Sequence, residues 1–549
     1  MCRGGPPDHH DGMDFTTSAR PGLRAPAAAP APALTPAPWA GIALIAVAAV
    51  AVEMAVSARY GYVRDELYFL SAGQHLAFGY VDQPPLTPLL ARITAALTGG
   101  TLVGFRILPA LCLAALVVMT AAMSRRLGAG RTGQLLAALA AATCAEYLGA
   151  MHELTTTTPD FVFWALILLL VMRLLASRDP RWWLAIGGCA GVASEAKWNI
   201  AFLLAGLAAG FLLTDARRLL ASRYLLIGGL LAAALAAPDV VWQAGHGWPG
   251  LDVFRVLQTS AGHNRAVFWP AQVLYIGPVL TPVWVGGAVW SLRNAAARPF
   301  RPAAIACVIV IALQFVLGGK AYYPGAAFTL LLAAGCVPLE QRLAGRRVPL
   351  KRRLAGRRVP LKRRLAGRAP RGRRIAPAFA AGTAMVAGAV LAAPVALPVL
   401  PARALHTAPL QKINYDLGEE IAWPRFVALV AGHYDAVPAA QRARTTILAG
   451  NYGEAGAIDR YGPGDGLPQA YSGASNFWLW GPPPAADSAA MAVNVDPALL
   501  RREFAHVRRI ATFWNGLGVD DDEQGVPVYL ATGLRTSWSR AWPAFREYA

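Results

Sequence analysis

Long apolar segments separated by short polar ones dominate the first 400 residues of the chain. A helix needs about 20 mostly apolar residues to cross about 30 Å of hydrocarbon, and eleven windows approach that length. This pattern predicts an all-α polytopic membrane protein with about eleven transmembrane helices. The windows lie at about 38–58, 101–123, 132–150, 159–176, 182–196, 199–214, 224–241, 270–291, 302–318, 323–339 and 376–398.

The pattern changes after residue 400. Residues 401–549 contain turn sequences such as RYGPGDGLPQ and short β-prone runs such as ARTTILAGNY and VPVYLATG. Together they predict a small soluble domain of the α/β or α+β class. The expected organisation is an Ala- and Pro-rich disordered tail at 1–36, a membrane domain at 37–400 and the soluble domain at 401–549.

Composition supports the membrane class. Of 549 residues, 56% are hydrophobic and only 15% are charged, and the mean hydropathy is +0.40. Soluble domains usually contain about 25% charged residues. The net charge of +20 is compatible with nucleic-acid binding in principle, so the distribution of the charge decides what it means.

The positive charge is concentrated in alternate loops. The loop 341–374 carries fifteen Lys or Arg, partly in a tandem repeat of RRVPLKRRLAG, and no acid. Four other loops on the same predicted side carry three each, whereas the opposite loops share seven. This is the positive-inside rule, so the charge reports topology and contact with membrane lipids. It predicts a cytoplasmic amino terminus, an extracytoplasmic soluble domain, a location in the plasma (inner) membrane and no nucleic-acid partner.

Three carboxylates stand out in the first external loop, GYVRDELYFLSAGQHLAFGYVDQPPL. Asp65 and Glu66 open it, and Asp82 precedes Gln83 and a Pro-Pro pair. Acidic groups beside a bilayer cost several kcal/mol unless they face water, a partner or a substrate. The pair Asp65 and Glu66 is the hardest to explain without a function.

Other polar residues fall on the same predicted face of the membrane. Asp160 begins the fourth window, and Lys197 lies between two short windows. Each has a structural alternative: Asp82 and Asp160 can cap helices, Lys197 can reach toward lipid headgroups, His263 can be a surface residue, and the tyrosines can belong to an interfacial aromatic belt. The remaining candidates on this face are His263, Arg265, Lys320, Tyr322 and Tyr323.

At these residues the chain resembles the family 39 membrane glycosyltransferases, which include the protein O-mannosyltransferases and the lipid A aminoarabinose transferases. The strongest likeness is in RDELYFLSAGQHLAFGYVDQPPL, with looser likeness in MHELTTTTPDFVFW, SEAKWN, HNRAVFWP and GGKAYYPGAAFTLLLAAG. The resemblance implies a C-type glycosyltransferase architecture. It also implies a polyprenyl-phosphate-linked sugar donor and an extracytoplasmic acceptor, which can be a protein, a lipid or a cell-envelope glycan.

The resemblance also implies roles for residues. The two acidic loop residues of the family correspond to Asp65 and Asp160, and its acidic residue before Pro-Pro corresponds to Asp82. In the aminoarabinose branch a lysine follows that acid, and here Gln83 stands in its place. We expect Asp65, Glu66 and Asp160 to form the catalytic group, with Asp65 as general base in an inverting transfer.

The other candidates are expected to bind substrate. Lys197, Arg265 and Lys320 could neutralise a leaving phosphate, because that group departs as an anion and needs cations rather than an acid. Asp82, Gln83, His263, Tyr322 and Tyr323 complete the predicted binding group. Asp82 and His263 are also residue types that could share a divalent metal ion, and the sequence leaves the cofactor open.

Two other functions remain compatible with the sequence. One is a secondary transporter, which also has many spans and buried charges but usually shows two repeated halves. The other is a transferase that moves a different group from a lipid carrier. No repeat between the halves is visible in the sequence, and only the loop with its Asp-Glu pair and Pro-Pro motif argues for sugar transfer.

Overall fold

The structure is a computed structural model that describes Met1 and residues 34–345, 372–408 and 410–548, with the side chains of 372–375 excepted. Contacts divide the chain between Leu34 and Thr35, and the description below concerns the unit from Thr35 onward. Most of the predicted amino-terminal tail, and the tandem repeat of the basic loop, lie outside the described residues. Their predicted properties therefore stay predictions.

The first 400 residues are helical wherever they are described in regular structure. The helices are α1 Trp39–Val56, α2 Arg64–Gln74, α3 Leu86–Thr98, α4 Leu102–Phe105, α5 Ile107–Arg126, α6 Arg131–Ala142, α7 Ala145–Ala150, α8 Thr157–Ser177, α9 Trp182–Ser194, α10 Ile200–Leu212, α11 Arg223–Gly245, α12 Pro249–Thr259, α13 Ala261–Ile276, α14 Thr281–Arg293, α15 Arg301–Leu317, α16 Phe328–Leu343 and α17 Gly372–Ala396.

Within the described residues, six helical segments are long and apolar enough to cross a membrane. They are Trp39–Val56, Leu102–Arg126, Thr157–Ser177, Arg223–Gly245, Ala295–Leu317 and Ala376–Ala396. A seventh is obtained if α13 and α14 count as one bent span. All eleven predicted windows fall on helices, but several of these helices are shorter than a full span, such as α9 and α10.

One predicted window, 270–291, is not a straight helix. α13 and α14 meet at an angle of 103°. Gly277 lies at the bend with φ of +103°, a conformation that favours glycine. Pro278 follows, and its ring removes the N–H that would continue the helix.

Glycines set how closely the membrane helices pack. Gly187 of α9 lies directly against Gly228 of α11, and a Cβ on Gly187 would overlap the backbone of α11. Gly287 of α14 meets Leu331 of α16 in the same way. Helices in a membrane associate largely through such close backbone approach, because lipid tails offer no hydrophobic driving force between them.

The carboxy-terminal part contains one five-stranded sheet, as the β-prone runs predicted. Its strands are β1 Thr445–Ala449, β2 Ala470–Ser472, β3 Ala489–Val493, β4 Phe504–Thr512 and β5 Pro527–Leu534, in the order β2-β1-β3-β5-β4. β1 pairs in parallel with β2 and β3, and β5 pairs in antiparallel with β3 and β4. Its helices are α18 Ala404–Thr407, α19 Asp416–Glu419, α20 Trp423–Asp435, α21 Ala439–Arg442, α22 Tyr452–Tyr461, α23 Ser475–Leu479, α24 Pro497–Glu503 and α25 Trp538–Ala541.

The sheet domain packs on α2, the helix of the first predicted external loop. α22 starts after β1 with a capping box, in which Asn451 and Glu454 satisfy each other's backbone N–H. Gly456 of α22 then touches Leu67 of α2 so closely that a Cβ would lie 2.9 Å from the Leu67 backbone. Leu67, Tyr68 and Phe69 share one hydrophobic core with residues of the sheet domain. The carboxy-terminal domain therefore packs directly against α2 of the first loop.

Candidate active site

Asp65 and Glu66 lie in the first turn of α2, where the helix dipole favours negative charge. Their side chains go to different places, since neighbouring positions on a helix are about 100° apart. Asp65 is half-buried and faces a small cavity, whereas Glu66 is fully buried on the other side. The two carboxylates that the sequence groups together thus have different surroundings.

The cavity has a volume of about 110 Å³. It is lined by Asp65, Tyr68, Phe69, Asp82, Gln83, Thr156 and Tyr452. The hydroxyl of Tyr452 donates to Asp65 Oδ1 at 2.9 Å, and the hydroxyl of Tyr68 donates to Asp82 Oδ1 at 3.0 Å. The structure therefore places Asp65, Asp82 and Gln83 around one cavity, together with a tyrosine from the carboxy-terminal domain.

Asp82 and Gln83 occupy the loop before α3. Withdrawal from water raises the pKa of Asp82 to about 6, and the hydrogen bond from Tyr68 partly offsets this rise. The loop is held by the amide of Val81, which donates to Asn476 Oδ1 at 2.6 Å. Gln83 is only 3% exposed, and neither polar atom of its side chain has a hydrogen-bond partner among the described residues.

Glu66 belongs to a buried charge network. Arg106 donates to both of its carboxylate oxygens, at 2.8 and 3.2 Å, and the amides of Val63 and Leu154 donate to it as well. Bidentate arginine pairs of this kind are geometrically specific. Glu66 thus has four donors inside the protein and does not line the cavity.

The same arginine connects distant parts of the chain. Arg106 also contacts His152 Nε2 at 2.8 Å and Glu420 Oε2 at 3.4 Å, and His152 Nδ1 lies 3.1 Å from Glu53. These residues come from α1, from the turn before α5, from the loop before α8 and from the carboxy-terminal domain. The network therefore ties the first loop to α1, to the loop before α8 and to the carboxy-terminal domain.

A second polar cluster, around Lys197, is connected to the cavity through the neighbouring residues Thr156 and Thr157. Thr156 lines the cavity, and the hydroxyl of the next residue, Thr157, accepts a hydrogen bond from Lys197 Nζ at 2.9 Å. The ammonium is 5.2 Å from the ring centres of both Tyr322 and Tyr323. Lys197 lies in the break between α9 and α10, where burial lowers its pKa to about 8, although the charge of Asp160 opposes this shift.

Asp160 faces this second cluster. It is 1% exposed and accepts a hydrogen bond from Asn199 Nδ2 at 3.3 Å. Asn199 is itself fixed by Gln314, whose Nε2 donates to Asn199 Oδ1 at 3.0 Å. Asp160 is therefore placed with Lys197 and the tyrosines, and it is not among the residues that line the cavity.

The remaining predicted residues are more exposed. Lys320 is exposed, with its ammonium 5.9 Å from the Tyr322 ring. Arg265 and His263 are exposed on α13, and Arg265 Nε donates to the carbonyl of Val316 at 3.1 Å. In the part of the chain that the structure describes, no group of three or more His, Cys, Asp or Glu side chains could hold a metal ion. A metal shared by Asp82 and His263 stays a prediction.

Sequence reasoning did not find three of the residues that build the site: Tyr452, Arg106 and Glu420. The sequence offers a clue to Arg106, because a charged residue inside an apolar window needs a buried partner. Tyr452 had none, since 387 positions separate it from Asp65 and only the folded chain brings them together.

Comparisons with known proteins agree with this fold. Residues 82–242, which include Asp82, Asp160 and Lys197, match the family described as dolichyl-phosphate-mannose-protein mannosyltransferase. Two crystal structures of ArnT from Cupriavidus metallidurans, one bound to undecaprenyl phosphate and one in the apo state, each superpose with a TM-score of 0.54 at 14% sequence identity. In each case the match covers 90% of this chain and 98% of ArnT. A comparison with curated protein sequences gives no match.

The chain is a multi-spanning membrane protein with the fold of the C-type glycosyltransferases. The likeness to the family 39 enzymes that the sequence carries is confirmed by the family match and by the shared fold.

Proposed function

We propose that this chain is a membrane glycosyltransferase that takes a sugar from a polyprenyl-phosphate-linked donor and passes it to an extracytoplasmic acceptor. The observation that carries the proposal is Asp65, a carboxylate that faces a polar cavity while its neighbour Glu66 is fully engaged in the protein interior. The family match and the fold of ArnT, which was solved with undecaprenyl phosphate bound, point to the same donor class.

Asp65 has the properties that a general base needs. One oxygen, Oδ1, is fixed by the Tyr452 hydroxyl, and no donor among the described residues occupies the other. In the proposed step an acceptor hydroxyl attacks the anomeric carbon and gives its proton to Asp65. The bond between that carbon and the phosphate oxygen breaks, and the lipid phosphate leaves with the bonding electrons. A single displacement of this kind inverts the anomeric centre.

Cations are needed where the phosphate leaves. The ammonium groups of Lys197 and Lys320 lie 5.2 and 5.9 Å from the Tyr322 ring centre, and we assign the donor phosphate to this cluster. The charge of Asp160 raises the pKa of Lys197 and so favours its ammonium form, and we give Asp160 an electrostatic supporting role.

The proposed orientation follows from the distribution of charge. The basic loop 341–374 belongs on the cytoplasmic side, which puts the cavity and the carboxy-terminal domain on the extracytoplasmic side of the plasma (inner) membrane. Since the carboxy-terminal domain packs against α2 and contributes Tyr452 to the cavity, we infer that it also helps to select the acceptor.

A mass-spectrometric comparison of cells with and without this chain tests the proposal. The glycolipids, envelope glycans and glycoproteins are profiled in both. We expect one acceptor class to lose one sugar in the deletion strain, while the sugar-charged polyprenyl phosphate accumulates. Unchanged glycans together with altered uptake of a solute would instead support a transporter.

A further inference from the structure

The cavity beside Asp65 is polar, but its lining includes no Lys or Arg side chain. Its lining consists of two carboxylates, an amide, a threonine, two tyrosines and a phenylalanine. A phosphate would be repelled by the carboxylates, whereas sugar hydroxyls can donate to them. The volume of about 110 Å³ is below the ~300 Å³ at the lower end of ordinary small-ligand sites, so the cavity suits one end of a larger ligand. These features fit the transferred sugar rather than the phosphate of the donor.

Gln83 is the unsatisfied group in this cavity. Its side chain is 3% exposed, and within the described residues neither Nε2 nor Oε1 has a partner. Buried polar groups are almost always hydrogen-bonded, because an unpaired one costs free energy. The amide offers two donor hydrogens and an acceptor oxygen, which together match a pair of neighbouring hydroxyl groups.

The loop around Gln83 is rigid enough for selective binding. The backbone carbonyl of Gln83 accepts a hydrogen bond from the backbone amide of Tyr80 at 3.1 Å. Pro84 and Pro85 follow and restrict the backbone. On the other side, Tyr68 holds the carboxylate of Asp82. The side chain of Gln83 is thus presented from a backbone that is fixed on both sides.

We propose that Gln83 is a specificity-determining residue that hydrogen-bonds hydroxyl groups of the transferred sugar. The proposal rests on the proposed function and adds to it the part of the donor that this position recognises. It assigns the cavity to an uncharged, hydroxyl-bearing face of the sugar and leaves the phosphate to the cluster of Lys197 and Lys320.

The test uses the full-length protein in nanodiscs and the variants Gln83→Met and Gln83→Glu. Methionine keeps the length of the side chain but removes both polar groups, whereas glutamate keeps acceptor oxygens. The probes are undecaprenyl phosphate without a sugar and undecaprenyl phosphates carrying mannose, glucose, galactose or arabinose. Kd is measured for each lipid, and the transfer rate for each sugar lipid.

We expect Gln83→Met to bind undecaprenyl phosphate within about 2-fold of the wild type. The sugar lipid that the wild type prefers should bind about 10-fold more weakly, and the differences in transfer rate among the four sugars should shrink by a similar factor. Gln83→Glu should retain part of the preference. The melting temperature of Gln83→Met should not fall, because the substitution removes a buried polar group without a partner.

Three outcomes contradict parts of this account in distinguishable ways. Equal weakening for the lipid with and without a sugar would place Gln83 at the phosphate and overturn the proposal. An unchanged sugar preference in Gln83→Met, with normal transfer, would also overturn it while leaving the proposed function intact. A wild-type protein that transfers none of the four sugars would contradict the proposed function itself, and this proposal with it.

Discussion

At the scale of single residues, two adjacent carboxylates have different surroundings and, in the proposed mechanism, different tasks. Asp65 faces the cavity with one oxygen fixed by Tyr452, and Glu66 is paired with Arg106 in the interior. Breaking a buried ion pair by removing one partner typically costs about 3–5 kcal/mol, because the other charge is left without compensation. Glu66 therefore supports the loop that carries Asp65.

This division predicts the effect of Glu66→Gln. The variant should unfold at a lower temperature, because Arg106 loses its main negative partner. The molecules that remain folded should transfer sugar at a rate within about 10-fold of the wild type. Thermal melting and transfer per folded molecule are measured in the same preparation. A fully stable variant with no transfer would put Glu66 in the catalytic group instead.

The lowered pKa of Lys197 predicts that the affinity for the donor phosphate depends on pH. Burial lowers its pKa to about 8, so the ammonium loses its proton as pH rises through that value. Affinity for undecaprenyl phosphate should therefore fall between about pH 7 and pH 9. Lys197→Arg should bind over the whole range, since arginine stays charged. An identical pH profile for both proteins would remove Lys197 from the phosphate site.

At the scale of secondary structure, α2 and α22 together position Asp65, the proposed base. Gly456 allows the two helices to touch, and Tyr452 at the start of α22 then reaches Asp65. The first loop, which contains α2, and the carboxy-terminal domain are consequently one structural unit, although they are far apart in the sequence.

This contact predicts the effect of Tyr452→Phe. The variant loses a hydrogen bond to a charged group, which is typically worth about 1.5–3 kcal/mol, while the ring and its packing remain. Transfer should fall by about 10- to 100-fold with little change in donor binding. Tyr461→Phe on the same helix is the matched control, since Tyr461 does not line the cavity. Equal effects in both variants would indicate a general change in packing.

At the scale of the whole molecule, the sequence predicted the fold class better than the contacts around the candidate site. The eleven apolar windows marked helices, although six or seven of the described segments, rather than eleven, are long and apolar enough to cross the hydrocarbon. The bend of 103° at Gly277 was not predicted, because a hydropathy pattern shows which residues are apolar but not where the helix axis changes direction. Asp65, Asp82 and Gln83 were found through their motif, whereas Tyr452 depends on tertiary contacts that no local pattern encodes.

The proposed topology can be tested with reporters. A reporter fused after Arg374 should be cytoplasmic, and one fused after Ala549 should be extracytoplasmic, because the apolar segment Ala376–Ala396 separates them. Protease protection in intact cells measures the side of each. Finding both on one side would mean that this segment does not cross the membrane.

The central claim is tested most directly by Asp65→Asn. Asparagine keeps the size of the side chain and its hydrogen bonding but cannot accept the proton, so transfer from the lipid-linked donor should fall by about 10²- to 10⁴-fold. Donor binding, expression and melting temperature should stay near the wild-type values, because Asp65 is half-buried and outside the network of Arg106. The measurement is single-turnover sugar transfer by purified protein in nanodiscs, with donor saturated. A rate near that of the wild type would contradict the assignment of Asp65 as the general base.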